Sequence, residues 1–269
     1  RLAVDSSGNI IEIPIGSGAI DGSGTQCYIP KWHDANTICD SVIYEDASNN
    51  IGIGTINPAG KLDVAGDVYV NGVRVGKGSN SVAGNTTVGC NALVCNTSGG
   101  FNTAIGNSAL ECNTSGYDNT AVGQCALKNN DYGTRNTAIG RAVGINITSG
   151  ANNTGVGWET LNNTTSSSRN TALGARALRN NTIGCCNTAS GSYSQCSNTS
   201  GKLNTSYGAE SLRYNTTGNC NTSIGVLSLY CNTTGEANTA VGVNSLRSNT
   251  TGVNNAALGY ESLYSNTTG

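Results

Sequence analysis

The sequence predicts an all-β protein whose larger part is a parallel β-solenoid, or β-roll, of 17-residue coils, preceded by a small β-rich module. Three observations carry this. First, Asn-Thr-Ala-(Val/Ile/Leu)-Gly or a close variant recurs with its leading Asn at Asn85, Asn102, Asn119, Asn136, Asn153, Asn170, Asn187, Asn204, Asn221, Asn238 and Asn255. Second, every step is 17 residues, without insertion across eleven copies. Enzymes gather insertions in their loops, whereas a rung of a stack cannot change length without breaking the ladder. Third, charged residues are only 11% and aromatics 5%, with 37 Gly against 3 Pro. Asn, Thr, Ser and Gly take the place of Lys and Glu, which favours turns and short strands over helices.

The module spans residues 1–80. Residues 9–15 alternate partly, as a strand does. Ile51-Gly52-Ile53-Gly54 runs into a turn at Thr55-Ile56-Asn57-Pro58, and Lys61–Val64 and Asp67–Val75 read as strands. Asn71-Gly72 within the latter is a hairpin signal.

The solenoid spans residues 81–269. Numbering each coil from its Asn, position 4 reads Val88, Ile105, Val122, Ile139, Val156, Leu173, Ser190, Tyr207, Ile224, Val241, Leu258. Position 9 forms a Leu column of Leu93, Leu110, Leu127, Leu161, Leu178, Leu212, Leu229, Leu246 and Leu263. Both positions are expected to point inward, with small residues at positions 3 and 8 letting the walls approach. Asn-Thr-(Thr/Ser)-Gly at positions 12–15 supplies a second corner, so that each coil is two short strands joined by two tight turns. Seventeen residues are too few for a strand–helix–strand unit. Coils stacked at ~4.8 Å make a rod of roughly 50 Å, with Asn and Thr ladders along it.

Some coils depart from the pattern. Gly144 stands where Leu is expected, and a one-residue bulge near Val143 and Ile145 would restore the core. Asn162-Asn163-Thr164-Thr165 reads as a turn slipped by one, and Ser190 and Gln195 replace both core residues of one coil, beneath Tyr207. Two apolar side chains per coil are a thin return for ordering 17 residues, so burial against other chains is expected, together with a cap on any open end.

The net charge of −2 predicts no affinity for nucleic acid or anionic membranes, and no apolar run approaches a membrane span. No signal peptide is evident; the chain starts at Arg1, lacks Met and stops inside a repeat, as a processed chain or a piece of a longer one would. The single histidine, His33, lies next to Asp34, and no second histidine exists to activate a Ser or Thr nucleophile. Gly16–Gly24 lacks the Lys of a phosphate loop, no zinc spacing occurs, and the repeats carry Asn where calcium would need carboxylates. No catalytic residue, metal ligand or cofactor is expected.

Fifteen Asn-x-Ser/Thr sequences occur; an Asn-Thr-Thr corner creates the motif by accident, but Asn96, Asn113, Asn198, Asn215, Asn232 and Asn249 remain candidate glycan acceptors. Eleven cysteines serve either as small hydrophobes or as partly bonded thiols of an extracellular protein. Register favours Cys220–Cys231 and Cys186–Cys196, then Cys95–Cys112, which share position 11 on successive coils. Cys27–Cys39 is a fourth pairing with no register behind it.

Tyr28–Trp32, Asp40–Tyr44 and Asn50–Pro58 with Lys61–Val64 resemble phage-type tail-fibre proteins, and the Asn-Thr-Ala-Val-Gly-x-x-Ser-Leu repeats are similar to the heads of trimeric autotransporter adhesins. The likeness covers roughly residues 25–269. It implies a homotrimeric, left-handed β-roll in an extracellular host-attachment fibre, on a virion or cell surface, meeting a surface glycan or protein receptor. The self-cleaving chaperone of such fibres and the membrane-anchor barrel of such adhesins are absent from the sequence. Two other functions compete: a secreted glycosylated filament, and an ice-binding solenoid presenting its Thr columns. For the latter, Arg, Glu, Tyr, Cys and Asn at outer positions 6, 7, 10 and 11 make the face uneven.

Overall fold

The computed structural model describes residues 2–4, 10–12, 28–32 and 38–269. The chain divides into two compact units, Arg1–Gly66 and Asp67–Gly269. In the first, β1 (Leu2–Val4) pairs antiparallel with β2 (Ile10–Glu12). A separate four-stranded sheet holds β3 (Tyr28–Trp32), β4 (Ile38–Glu45), β5 (Ile51–Ile53) and β6 (Leu62–Val64). β3–β4 and β4–β5 are antiparallel; β5–β6 is parallel. The β4–β5 turn is set by Asp46, whose Oδ1 accepts the Ser48 and Asn50 N–H groups at 2.8 and 2.9 Å while Asn49 takes φ 57°. The strand expected over residues 9–15 is β2; its last residues, like Gly16–Gly24, His33 and Asp34, lie outside the described residues.

The second unit starts with a hairpin, β7 (Val68–Val70) and β8 (Val73–Gly76), turning at Asn71 and Gly72 with φ 48° and 80°. Two successive positive φ values are what Asn-Gly supplies in such a turn. β8 pairs antiparallel with β9 (Thr86–Gly89), so the hairpin covers the free edge of the first coil. That pairing moves the division between units from the expected residue 80 back to Gly66/Asp67.

Parallel pairing then runs unbroken from β9 through β10 (Thr103–Ile105) to β19 (Ala256–Leu258), each strand matching the next at an offset of 17, as in Thr103↔Thr120 and Ala104↔Ala121. This is a parallel β-solenoid. Each coil has one three- or four-residue strand at positions 2–5, where two were expected. The rest is a run of turns, because positions 7, 9 and 17 all sit at φ between 47° and 60° and cannot extend a strand. Backbone bonds still tie these turns from coil to coil, as when the Thr114, Ser115 and Gly116 N–H groups share the Asp131 carbonyl at 3.1–3.2 Å.

The interior differs from the expected one at position 4. Ile105, Leu173, Tyr207 and Leu258 are 38, 41, 49 and 80% exposed, whereas position 3 is buried throughout, as in Ala104, Ala121, Ala172 and Ser223. Side chains alternate across a strand, so placing position 3 inside turns positions 2 and 4 out. The core is therefore the small residue at 3, Ala or Ser at 8, and Leu at 9. Leu93, Leu110, Leu127, Leu161, Leu178, Leu212, Leu229 and Leu246 are fully buried. Leu263 is not; it is 48% exposed because no coil stacks on its outer side.

Position 5 is Gly in all eleven coils with φ from 120° to 152°, and a Cβ on Gly106 would sit 2.7 Å from the Gly123 carbonyl carbon. Only glycine allows coils to approach so closely in that conformation. Gly144 is the one non-Leu, non-Gln residue at position 9, and no bulge forms around it: pairing continues Thr137↔Thr154. Ile147, from position 12, fills the space, its Cδ1 2.8 Å from where a Gly144 Cβ would stand. Val143, larger than the usual Ala, faces Gly155, smaller than the usual Ala, whose Cβ would lie 2.6 Å from Val143 Cγ1. The volume exchange between neighbouring coils thus occurs here, not at the outward Ser190 and Tyr207. Nor does the expected slip at Asn162–Thr165 occur, since Thr164 occupies position 12 and is buried.

Candidate functional site

Two amide columns flank the core. At position 1, each Asn Oδ1 accepts the backbone N–H of the next Asn, as in Asn102 N to Asn85 Oδ1 at 2.8 Å, and from Asn85 to Asn238 its Nδ2 closes its own coil on the carbonyl at position 15, as in Asn102 to Gly116 O at 2.8 Å and Asn153 to Ser167 O at 2.9 Å. This column runs unbroken to Asn255. At position 12, Nδ2 donates to the preceding Oδ1: Asn113 to Asn96 at 2.9 Å, Asn198 to Asn181 at 2.8 Å, Asn232 to Asn215 at 2.8 Å. Ile147 and Thr164 interrupt it, and the Asn130 Oδ1 and Thr164 Oγ1 atoms beside the gap are buried without a partner.

These columns decide the glycan question for the folded coil. Asn96, Asn113, Asn198, Asn215, Asn232 and Asn249 are all buried, with Nδ2 committed to a neighbouring amide or the Gly carbonyl three residues on. A glycan would need that nitrogen outside, so the six are ladder residues. Asn152, at position 17, is exposed instead.

Coils seven to eleven carry Ser at position 8, and the core there is polar. Ser194 and Ser206 share a hydroxyl hydrogen bond, and Ser211 Oγ bonds Ser223 Oγ at 2.6 Å. Gln195 fits in a Leu place because Nε2 donates to Thr188 O at 2.9 Å and Ser206 Oγ at 2.8 Å; its Oε1 has no partner.

The nine cysteines whose side chains are described are free thiols. Cys95 and Cys112 do stack on adjacent coils: burial raises the Cys112 pKa, and Cys95 beside it adds to the rise. Cys186 and Cys196 are both free thiols, and Cys186 lies beside its neighbour Cys185. Burial and a hydrogen bond with Cys186 push the Cys185 thiol up. Cys196 is buried among Arg179, Arg213 and Arg176, its pKa raised by burial and partly drawn back by those charges. Cys220 is exposed and Cys231 half-buried, unbonded to each other. Cys27 and the Cys39 side chain lie outside the described residues.

Two outer surfaces stand out. The strand face carries a Thr column at position 2 beside the exposed aliphatic column at position 4, extended at position 6 by Trp158, Val226, Val243 and Tyr260. The neighbouring edge, at positions 7, 10 and 11, alternates guanidinium and aromatic groups. Arg176 lies 4.4 Å from the Trp158 ring centre and 5.5 Å from Tyr193; Arg213 lies 4.8 Å from Tyr193 and 5.4 Å from Tyr214; Arg247 lies between Tyr230 and Tyr264 at 5.2 and 5.6 Å. Glu159 pairs with Arg176 and Arg179 at 3.1 and 3.0 Å, and Glu210 with Arg213 at 2.6 Å. The Glu210 bond raises the Arg213 pKa, and the Tyr214 hydroxyl raises that of Tyr230. This edge was readable: position 10 holds Arg179, Arg213 and Arg247 in coils six, eight and ten.

An open groove of about 600 Å³ lies on another side, lined by Ile183, Ser200, Lys202, Leu203, Thr217, Asn219 and Glu236. Among the described residues no group of three or more His, Cys, Asp or Glu side chains is placed to hold a metal, and no helix is long and apolar enough to cross a membrane. No protein-family model, curated protein or solved structure matches the chain.

Proposed function

We propose that this chain is a structural, non-enzymatic fibre protein of a virion or cell surface, a homotrimeric β-solenoid shaft or head that attaches to a host or other surface outside the cell. The observation that supports this best is the aliphatic column at position 4. Val88, Ile105, Ile139, Leu173, Ile224 and Leu258 lie in register on the outer face of the strands and are exposed in the single chain. A largely apolar stripe of that kind, broken at Ser190, is a cost in water and a gain when another chain covers it. Three identical chains packed on this face would bury the stripe along the axis and supply what the narrow Ala/Leu core does not. The resemblance to tail fibres and adhesin heads points to the same assembly. Surface attachment follows from the division of labour: constant residues build the scaffold, and variable residues occupy outer positions 6, 7, 10 and 11.

Sedimentation at micromolar concentration tests the assembly. A trimer is expected for the wild-type chain, and dissociation for Ile105→Lys/Ile139→Lys, which places two charges on the stripe without entering the core. A stable folded monomer would overturn the trimer. The ice-binding alternative is weakened at position 13, where Thr hydroxyls already donate to the next coil, as in Thr97 to Thr114 O at 2.8 Å. The glycosylated filament loses its six main acceptors to the position-12 ladder.

A further inference from the structure

We propose that the position-10 edge is a binding track for a linear acidic polysaccharide carrying a carboxylate or sulfate in each disaccharide, lying along the solenoid axis. This rests on the attachment reading and names the ligand class. Arg179, Arg213 and Arg247 lie in coils six, eight and ten, two coils apart. With coils ~4.8 Å apart, the guanidinium groups repeat at about 9.6 Å, comparable with the length of a disaccharide in an extended polysaccharide. A polymer with one anion per disaccharide would meet one guanidinium per repeat.

Three features fit this ligand. The arginines are held in place: Arg213 stacks on Tyr193 and Tyr214, and Arg247 between Tyr230 and Tyr264. A stacked guanidinium loses less freedom on pairing with an anion. Donors are also left over. A guanidinium has five N–H groups; Arg179 engages Glu159 through Nε, Arg213 engages Glu210 through one terminal nitrogen, and Arg247 donates to the Tyr264 hydroxyl at 2.8 Å. Arg247 has no carboxylate within 4.0 Å among the described residues, and the acid of the adjacent coil, Glu261, accepts from Asn244 at 3.4 Å. Finally, the tyrosines between the arginines offer ring surface for the apolar faces of sugar rings. A neutral polysaccharide would cover the guanidinium groups without pairing them, which disfavours it.

The test is direct binding of the full chain to three probes of equal length: a hyaluronan decasaccharide, carrying carboxylates; a chondroitin sulfate decasaccharide, carrying carboxylates and sulfates; and neutral dextran. Binding to either acidic probe and not to dextran is expected, weakening as salt rises. Preference for one acidic probe identifies the anion and still supports the track. Arg247→Gln should weaken binding about tenfold, one charged hydrogen-bonding partner having been removed. Arg179→Gln/Arg213→Gln/Arg247→Gln should abolish it while the far-ultraviolet spectrum stays that of the wild type. A fragment too short to reach from Arg179 to Arg247 should bind far more weakly than the decasaccharide. Equal binding of dextran, no binding of either acidic probe, or undiminished binding by the folded triple variant would overturn the proposal; should the triple variant not fold, Arg247→Gln alone decides. Sedimentation of the same samples keeps the two ideas separable, since a trimer that ignores the acidic probes sinks only this one.

Discussion

Replacing one asparagine of the position-12 column should cost very different amounts at two places that look the same in sequence. In Asn215→Ala, Nδ2 loses Asn198 Oδ1 and Gly218 O, both at 3.0 Å, and Oδ1 no longer receives Asn232 Nδ2 at 2.8 Å. Gly218 O keeps its bond from Asn204 Nδ2, and Asn232 keeps Gly235 O. Asn198 Oδ1, however, becomes a buried acceptor with no donor. Stranding it costs about 1–3 kcal/mol and the other lost bonds about 1 kcal/mol each, so a loss of roughly 3–5 kcal/mol is expected. In Asn130→Ala, Nδ2 likewise leaves Asn113 Oδ1 and Gly133 O. Yet Asn130 Oδ1 is already bare, because Ile147 follows it. The bare end of the ladder merely moves back one coil, and about 1–2 kcal/mol is expected. Both variants open the same small cavity, so that contribution cancels in the comparison. Urea titration followed by far-ultraviolet circular dichroism measures both. Equal losses, or a larger loss for Asn130→Ala, would show that the side-chain ladder does not carry the stability assigned to it.

Four further outcomes are expected. Leu127→Ala should lose about 2–5 kcal/mol in the same titration, since the side chain is wholly buried between coils. Ile147→Asn alone should destabilise by emptying the space beside Gly144, whereas Gly144→Leu/Ile147→Asn, with Val143→Ala and Gly155→Ala, should recover the loss, because it restores the packing of the other coils and gives Asn130 Oδ1 a donor, leaving only Thr164 as a break in the ladder; a multiple variant weaker than the single one would refute this. Cys196 should alkylate more slowly than exposed Cys220 and need a higher pH to react, as burial raises its pKa and withholds the thiolate. In the same mapping, mild oxidation with a diazene-type thiol oxidant should join Cys95 to Cys112 before any other pair, and a first bond at Cys220–Cys231 would contradict the stacking.

The period of the solenoid was legible because one coil is one repeat and each insertion would have shown. Leu at position 9 was correctly placed inside. Position 4 was misassigned because a β-branched residue between Ala and Gly looks like core, while the true strand-borne core residue, the Ala at position 3, looks like a spacer. What settles it is the turn geometry: left-handed residues at positions 7, 9 and 17 roll the coil so tightly that only a small residue fits inside the strand. Leu and Arg give no sign in sequence of a positive φ, which they adopt here because the stack imposes it. The buried role of Asn96 and its equivalents was hidden for a similar reason. Asn-Thr-Ser reads equally as a turn or a glycan acceptor until the amide of the next coil is seen against it. The Arg column, by contrast, lay open to any comparison of one position down the coils.

Because position 1 bonds each coil to the next at a fixed offset of 17, changes in length can come only in whole steps. Removing Asn204–Cys220 would join Leu203 to Asn221 and set Asn187 against Asn221 in the same register that Asn204 occupied. Removing one residue fewer would present a mismatched face to every bond along the seam. Near-identical repeats are prone to unequal recombination, so the easiest genetic accident in such a gene is also the one the fold accepts. Length is then quantised and readily selected. Each whole-coil loss or gain also shifts the parity of whatever is written on the outside: with one coil gone between Arg179 and Arg213, their two-coil spacing becomes one, while the scaffold beneath is unchanged.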